Sequence, residues 1–328
     1  MARGTPARSS GALNDGAPEV SIEGGAVGDR IYQGTITFFA LCVPILLLFI
    51  AYEIVIAAWP ALRHFGTDFL TTRIWDPVNE VYGVAPAIYG TLATSAIALL
   101  VATPLALGVA IFLSEFAPPW LRQPVAFLVD LLAAIPSVVY GLWGIVVLLP
   151  LLRNHIVPFL GETLGLSNLP IFAGDFYPGN ILAAGLILAI MVLPYISAVA
   201  REILLAVPRS QREAALALGA TRWEMIWGAV LPFAKSGILG GIILGLGRAL
   251  GETMAVTMVI GNRPEIPTSL LQPGYTLASQ IANQFLEATG ELQVSALMAA
   301  AFVLFAITLV VNAIARWLVW RVGREVRA

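Results

Sequence analysis

Six stretches of about 20 or more apolar residues leave this chain few ways to fold. They lie near 35–58, 87–113, 124–150, 180–204, 235–260 and 293–320. At 1.5 Å per residue each reaches across a hydrocarbon core about 30 Å thick. Inside lipid the backbone N–H and C=O groups must be satisfied within the segment itself, so such runs are helices. The chain is 59% hydrophobic and only 12% charged, which sets it apart from soluble domains. The expected fold class is all-α: a polytopic transmembrane helix bundle of about six spans.

Polar loops are expected near 60–86, 114–123, 151–179, 205–234 and 261–292. Residues 1–30 are rich in Gly, Ala and Ser and carry both charge signs. They lack a basic start followed directly by a short apolar core, so no cleavable signal peptide is expected. The expectation is a disordered cytoplasmic tail over 1–34 and a short cytoplasmic C-terminal tail over 321–328. Arg and Lys set the orientation. With the N-terminus inside, Arg3, Arg8, Arg30, Arg122, Arg201, Arg209, Arg212, Arg222, Lys235, Arg316, Arg321, Arg324 and Arg327 fall on the cytoplasmic side. Only Arg63, Arg73, Arg153 and Arg263 fall outside, which supports both termini inside. Trp59, Trp120, Trp317 and Trp320 lie near span ends, as interfacial anchors do. The lone Cys42 forms no intrachain disulfide and reads as a small packing residue. His64 and His155 are far apart, so no metal site is expected.

Pro208 to Leu231-Pro232 reads as a bracket of two short helices between the fourth and fifth spans. Ser210 followed by Glu213, and Thr221 followed by Glu224, each fit a capping box. Ala214, Ala215, Leu216, Ala217 and Leu218 favour helix, and Gly219 supplies a left-handed stop. The expected pattern is helix, tight turn, helix, closed by Pro232. A DNA-binding helix-turn-helix has the same outline, but its setting between membrane segments argues against it, and no nucleic-acid partner is expected.

The fifth span carries Arg248 and Glu252. Arg248 lies 13 residues beyond Lys235, about 20 Å deeper and past mid-membrane. An arginine there costs about 2.5–3.5 kcal/mol on insertion scales. Glu252 at i+4 is within reach to offset it. Gly237, Gly241, Gly245, Arg248 and Glu252 fall on one arc, with Leu239, Ile243, Leu246 and Leu250 on the far side toward lipid. Two readings follow. One is a salt bridge on a close helix seam with small-xxx-small rows. The other is a narrow path in which Arg248 offers charge-assisted hydrogen bonds to an anion while Glu252 orients it. Ile135-Pro136-Ser137-Val138-Val139-Tyr140-Gly141 also places Pro, a hydroxyl and Gly together in mid-span.

Glu213-Ala214-Ala215, Gly219 and Leu231-Pro232, at this spacing, resemble the EAA loop of ABC importer permeases. The resemblance implies a cytoplasmic coupling helix in which Glu213, Ala214, Ala215 and Gly219 contact an ATPase subunit. Ala229 stands where that family usually has Ile. Gly247-Arg248-Ala249-Leu250-Gly251-Glu252-Thr253-Met254-Ala255-Val256, with Ile135–Gly141, is similar to the permeases of the Pst-type phosphate importer, its C subunit more than its A subunit. That implies a type I (MetI-like) permease core over 87–320, preceded by a first span and outer loop over 35–86, with coupling helices at 205–234. It places Arg248, Glu252, Thr253 and Ser137 on a phosphate path. Implied partners are a second, A-type permease, two ATPase subunits holding ATP and Mg, an extracytoplasmic phosphate-binding protein, and lipid of a bacterial inner membrane.

The chain has no Gly-x4-Gly-Lys-Ser/Thr loop, no His-Glu-x-x-His and no Gly-x-Ser-x-Gly. No catalytic centre and no cofactor of its own are therefore expected, and a separate chain would hydrolyse ATP. Three alternatives stay open: a permease for another oxyanion such as sulfate or molybdate, a proton-coupled carrier with Glu252 as proton site, and a non-transporting anchor or sensor.

Overall fold

The structure, a computed structural model, describes residues 25–163, 165 and 168–325. It divides into two units, residues 1–52 and 53–328. The first unit is the leading part of helix α1 (Gly25–Phe65), whose apolar side chains, Phe38, Leu48 and Phe49 among them, are exposed. Residues 25–34, expected in a disordered tail, are helical; the rest of that tail lies outside the described residues.

In the second unit the end of α1 leads to the short helix α2 (Asp68–Thr71) and a two-residue hairpin, β1 (Trp75–Asp76) antiparallel to β2 (Val81–Tyr82). Helix α3 (Ala85–Ile111) follows and ends in a wider π turn over Phe112–Phe116. Next come α4 (Pro119–Ala134), α5 (Ser137–Trp143) and α6 (Leu149–Leu151), the last joined by π turns into a helix that continues to Thr163. Then come α7 (Ile181–Leu205), α8 (Arg209–Ala217), α9 (Arg222–Met225), α10 (Leu231–Leu250), α11 (Met254–Val259), α12 (Leu277–Gln284) and α13 (Glu291–Glu325).

Six helical runs are long and apolar enough to cross a membrane: 28–65, 85–116, 137–161, 181–205, 222–250 and 291–321. The bundle expected from hydropathy is present, and the chain is a multi-pass membrane protein. The fourth run is its axis. Of the apolar window in Ile181–Leu205, 72% is buried, against 33% or less in each of the others. Helix α3 lies along α7, where Ala98, Ala102 and Ala106 share a core with Ile187 and Ile196. Gly185 makes this approach possible, because a Cβ there would sit 2.6 Å from Ile97.

The two ends of α3 belong to different clusters. At its start, Ala58, Ala61, Phe69, Tyr82, Leu277 and Ala299 pack together. Ser295 Oγ donates to the Ala57 carbonyl at 2.9 Å and accepts from the Ala61 N–H at 3.0 Å, joining α1 to α13. At its far end, Ala110 packs with Leu204, Val207, Met225 and Ile226 beneath the bracket. The hairpin and the bracket therefore mark opposite ends of the bundle.

Three local expectations are corrected. The third span, expected at 124–150, runs from Ser137 to Gly161, because Ile135-Pro136 breaks the helix and leaves α4 separate. Tyr140 OH donates to the Leu132 carbonyl at 2.8 Å and closes that break. Much of the outer loop expected at 151–179, with Arg153 and His155, is thus helical. The fifth span does not continue to 260: α10 stops at Leu250, and α11 begins at Met254. Pro232 does not close the bracket, because α9 passes through a π turn over Ile226–Val230 into α10, and Pro232 lies within that continuous helical run.

Candidate anion path and coupling surface

The bracket forms as its sequence dictates at one cap and not at the other. Thr221 Oγ1 accepts from the Glu224 N–H at 3.3 Å, and the Glu224 carboxylate accepts from the Thr221 N–H at 2.8 Å, so that capping box is complete. The Ser210–Glu213 box is absent: α8 starts at Arg209, with Pro208 as N-cap and no side-chain cap. Gly219 takes φ +86°, the left-handed turn expected of it. Glu213 and Ala214 are exposed, whereas Ala215 turns inward and packs against the Ala110–Leu204 cluster. Leu218 is 90% exposed, and Trp223 and Trp227 lie edge to face at 5.5 Å with both rings open to the outside. An apolar, aromatic surface at the tip of a bracket is the composition of a protein-docking face.

Arg212 ties this bracket to the bundle. Its guanidinium donates to Glu115 at 2.8 Å, to the Leu204 carbonyl at 2.7 Å and to the Val207 carbonyl. Sequence reasoning placed Arg212 only in a cytoplasmic count and gave Glu115 no role. Arg201 similarly approaches Asp130 of α4 at 3.8 Å, a pairing hidden by the break at Pro136.

Arg248 and Glu252 do meet. Arg248 Nη1 is 2.6 Å from Glu252 Oε2. The helix ends between them, so Glu252 lies on the link to α11. There its Oε1 accepts from the Ala255 N–H at 3.3 Å. A carboxylate at this helix start satisfies a backbone donor that has no intrahelical partner. The Glu252 side chain is 3% exposed and that of Arg248 is 37% exposed. The acid is therefore held from both sides, while the guanidinium keeps N–H donors to offer outward.

They are offered into a cleft of about 990 Å³ between α10 and α13. Gly240, Ile243, Gly247 and Arg248 form one wall, and Thr308, Asn312 and Arg316 lie on the other, with Tyr195 of α7 alongside. The helix faces differ in part from those expected. Gly237, Gly241 and Gly245 do not share a face with the path; they form the seam with α7, where added Cβ atoms would meet Ile203 at 2.7 Å, Val199 at 3.1 Å and Ile196 at 2.7 Å. Ile243, expected toward lipid, lines the cleft, and Leu250 is buried. Both sequence readings thus have their own glycines: the seam takes one row, and the cleft takes Gly240 and Gly247.

Thr253 and Ser137 are not among the cleft-lining residues. Thr253 follows Glu252 directly, and its carbonyl accepts from Thr257 Oγ1 at 2.8 Å. Ser137 opens α5, which packs on α11 so closely that a Cβ on Gly141 would lie 3.2 Å from Ala255 Cα. No group of three or more His, Cys, Asp or Glu suited to a metal occurs among the described residues. The polar row Thr308–Asn312–Arg316 was missed, though its spacing of four is visible in the sequence.

A family model described as binding-protein-dependent transport system inner membrane component matches residues 102–324. The phosphate transport system permease protein PstC of Pasteurella multocida (strain Pm70) is 47% identical over 301 residues, covering 90% of this chain and 93% of that protein. The chain belongs to this family, on its PstC branch. Another such relative, from Mesorhizobium japonicum, is 44% identical over 307 residues, covering 92% of this chain and 93% of that protein. Among solved structures, a bacterial ABC transporter involved in the import of the acidic polysaccharide alginate aligns with TM-score 0.58 at 20% identity, over 89% of this chain and 98% of that one. That likeness bears on the fold alone, which is the expected type I importer architecture. The named relatives are transport permeases rather than enzymes.

Proposed function

We propose that this chain is the C-type membrane permease of an ATP-driven phosphate importer. Arg248 is the observation that carries the reading. It is a partly exposed cation paired on one side with the buried Glu252, and its remaining donors face a cleft on a relative of phosphate permeases. A guanidinium fits the oxygens of a phosphate with several charge-assisted hydrogen bonds. Glu252 keeps that attraction moderate, so the anion is held and then released.

In this reading the bracket faces the cytoplasm and the hairpin faces out, as the Arg and Lys distribution favours. Of two ATPase subunits, holding ATP and Mg, one docks on the exposed tip at Glu213, Ala214, Leu218 and Trp223. A second, A-type permease completes the path, and an outer phosphate-binding protein delivers the anion at the hairpin end. Closure of the ATPases moves the bracket, and Arg212–Glu115 passes that motion to the spans. The spans then open outward, and hydrolysis restores the inward state.

The test is phosphate uptake into proteoliposomes holding the complete complex, with and without ATP. ATP-dependent phosphate uptake that is lost in Arg248→Ala supports the reading. Uptake driven by a proton gradient and indifferent to ATP overturns it, as does uptake of sulfate or molybdate in preference to phosphate.

A further inference from the structure

We propose that Arg316, with Asn312 one turn away, forms a second phosphate-binding station in the cleft, on the bracket side of Arg248. The anion then passes from one guanidinium to the other on its way out. This rests on the reading of the chain as a phosphate permease.

Thr308, Asn312 and Arg316 recur every four residues, so they stand in one row along α13. All three line the cleft that Arg248 lines from the opposite wall. Their level is fixed by a close approach: a Cβ added to Gly247 would lie 4.0 Å from Asn312 Oδ1. The row thus begins beside Arg248. Helix α13 enters from the hairpin end, where Ser295 is bound to α1, and runs toward the bracket end. Arg316 consequently lies about 6 Å farther toward the bracket than Asn312.

The chemistry of the row is one of donors and cations. Thr308 Oγ1 donates to the Phe305 carbonyl at 2.8 Å, and Asn312 Nδ2 donates to the Thr308 carbonyl at 2.8 Å. That leaves Asn312 one amide hydrogen. Arg316 has no ion pair among the described residues. Among the described residues the carboxylate nearest this lining is Glu252, paired with Arg248; the other walls include Gly240, Ile243, Leu244, Phe305 and Leu309. Arg248 is balanced by Glu252 behind it, so Arg316 adds a net positive charge to a cleft with apolar walls, and that favours an anion. Two stations a short step apart also suit conduction, because neither must hold the anion tightly.

The same chemistry would recognise a lipid phosphate headgroup. Arg321, over the Trp317 ring at 5.7 Å, already has the placement of such an anchor. Arg316 faces the cleft instead, so free phosphate is the assigned ligand.

The experiment uses the complete transporter in phosphatidylcholine vesicles, with Cys42→Ser as background and Arg316→Cys added. Uptake is measured before and after a methanethiosulfonate reagent bearing an ammonium or one bearing a sulfonate. The background protein receives the same reagents as control. The expected result is uptake about ten-fold lower in Arg316→Cys, restored by the ammonium reagent and not by the sulfonate, with excess phosphate slowing modification. Equal response to both reagents overturns the proposal, as does a wild-type rate in Arg316→Cys. Should the cysteine variant fail to assemble, Arg316→Lys decides: uptake within about three-fold of wild type supports a cationic station, and loss of uptake in an assembled complex overturns it. A rate that falls only in phosphatidylcholine and recovers with anionic lipid assigns Arg316 to headgroups and overturns the proposal as well. Failure of the background protein to take up phosphate at all would instead sink the underlying reading.

Discussion

Glu115 and Arg212 are 97 positions apart in the chain, and their side chains meet at 2.8 Å where the second span ends and the bracket begins. The carboxylate is 9% exposed and the guanidinium 18%. The arginine also caps the Leu204 carbonyl at the end of α7 and the Val207 carbonyl on the link that follows. One side chain thus binds α3, α7 and α8 at a single point. Breaking such a pair by removing one partner costs about 3–5 kcal/mol when burial is complete, because the other charge is stranded. Glu115→Ala and Arg212→Ala are each expected to uncouple ATP hydrolysis from uptake. The double variant is expected to be less impaired than the sum of the two. A thermodynamic cycle on thermal unfolding and a ratio of phosphate moved per ATP measure both effects; additive losses would mean the two residues act separately.

Glu252→Gln removes the charge opposite Arg248 and keeps the shape. The neutral amide oxygen still accepts from the Ala255 N–H, so α11 should persist. Arg248 then faces the cleft with its charge uncompensated. Anion binding is expected to tighten and turnover to fall about ten-fold, since a site that holds too firmly does not release. Uptake kinetics beside equilibrium phosphate binding would check this; equal losses in both would argue that Glu252 is structural.

Gly90 and Gly108 lie on the same helix and make opposite predictions. A Cβ on Gly90 would run into the Tyr275 carbonyl, beside the place where the Leu277 N–H donates to Thr91 Oγ1 at 3.0 Å. Gly108 has nothing within 4 Å. Gly90→Ala is expected to destabilise the isolated chain by about 1–3 kcal/mol through overpacking. Gly108→Ala is expected to be neutral or to stabilise by up to about 1 kcal/mol through helix propensity. Thermal unfolding in detergent separates them.

At the hairpin end, Asn79 Nδ2 donates to the Asp76 carboxylate at 2.6 Å, and the Val78 and Asn79 N–H groups donate to it at 2.9 and 3.3 Å. The Asn79 side chain first, and these N–H groups after it, hold the Asp76 carboxyl below its ordinary value of 3.8. A depressed carboxyl adds stability above the unfolded value and loses it as pH falls through the folded one. The turn is therefore expected to stay ordered until the pH is below 3.8. Trp75, set edge to face against Tyr82 at 4.9 Å, reports on it through fluorescence. Asp76→Asn should abolish this low-pH transition; an unchanged transition would place it elsewhere.

The legible parts of the molecule were those set by local rules. Long apolar runs imply spanning helices, Thr221–Glu224 implies a cap, and Arg248 with Glu252 four residues on implies a pair. Each was present. The misplaced parts were those where distant contacts decide. Ser210 matched a cap pattern, but α8 already starts at Arg209, with Pro208 as its N-cap. The break after Leu250 has no strong local signal, since Gly251 tolerates helix, and only the packing of α11 on α5 reveals it. Glu115 was invisible as a partner because nothing within ten residues answers its charge with the geometry that Arg212 supplies from 97 positions away. Arg316 was legible as part of a row of four-residue spacing, yet counting it for topology hid the face it occupies.

Leu218 is the sharpest probe of docking. It is 90% exposed at the end of α8, next to a glycine at φ +86°, and it touches no core cluster. A large aliphatic side chain left open at a turn gains nothing within this chain and can be covered by a partner. Leu218→Asp should leave the thermal unfolding of the isolated permease within about 0.5 kcal/mol of wild type, as surface changes do. Affinity for the ATPase subunits should nevertheless fall about ten-fold or more, because a desolvated carboxylate has no place in an apolar contact. Gly219→Ala acts differently: a left-handed alanine costs about 1–2 kcal/mol, so it should weaken docking by misaiming α8 against α9. Measuring ATPase binding for both variants beside their unfolding curves separates a lost contact from a bent bracket, and unchanged binding in Leu218→Asp would move the docking face elsewhere.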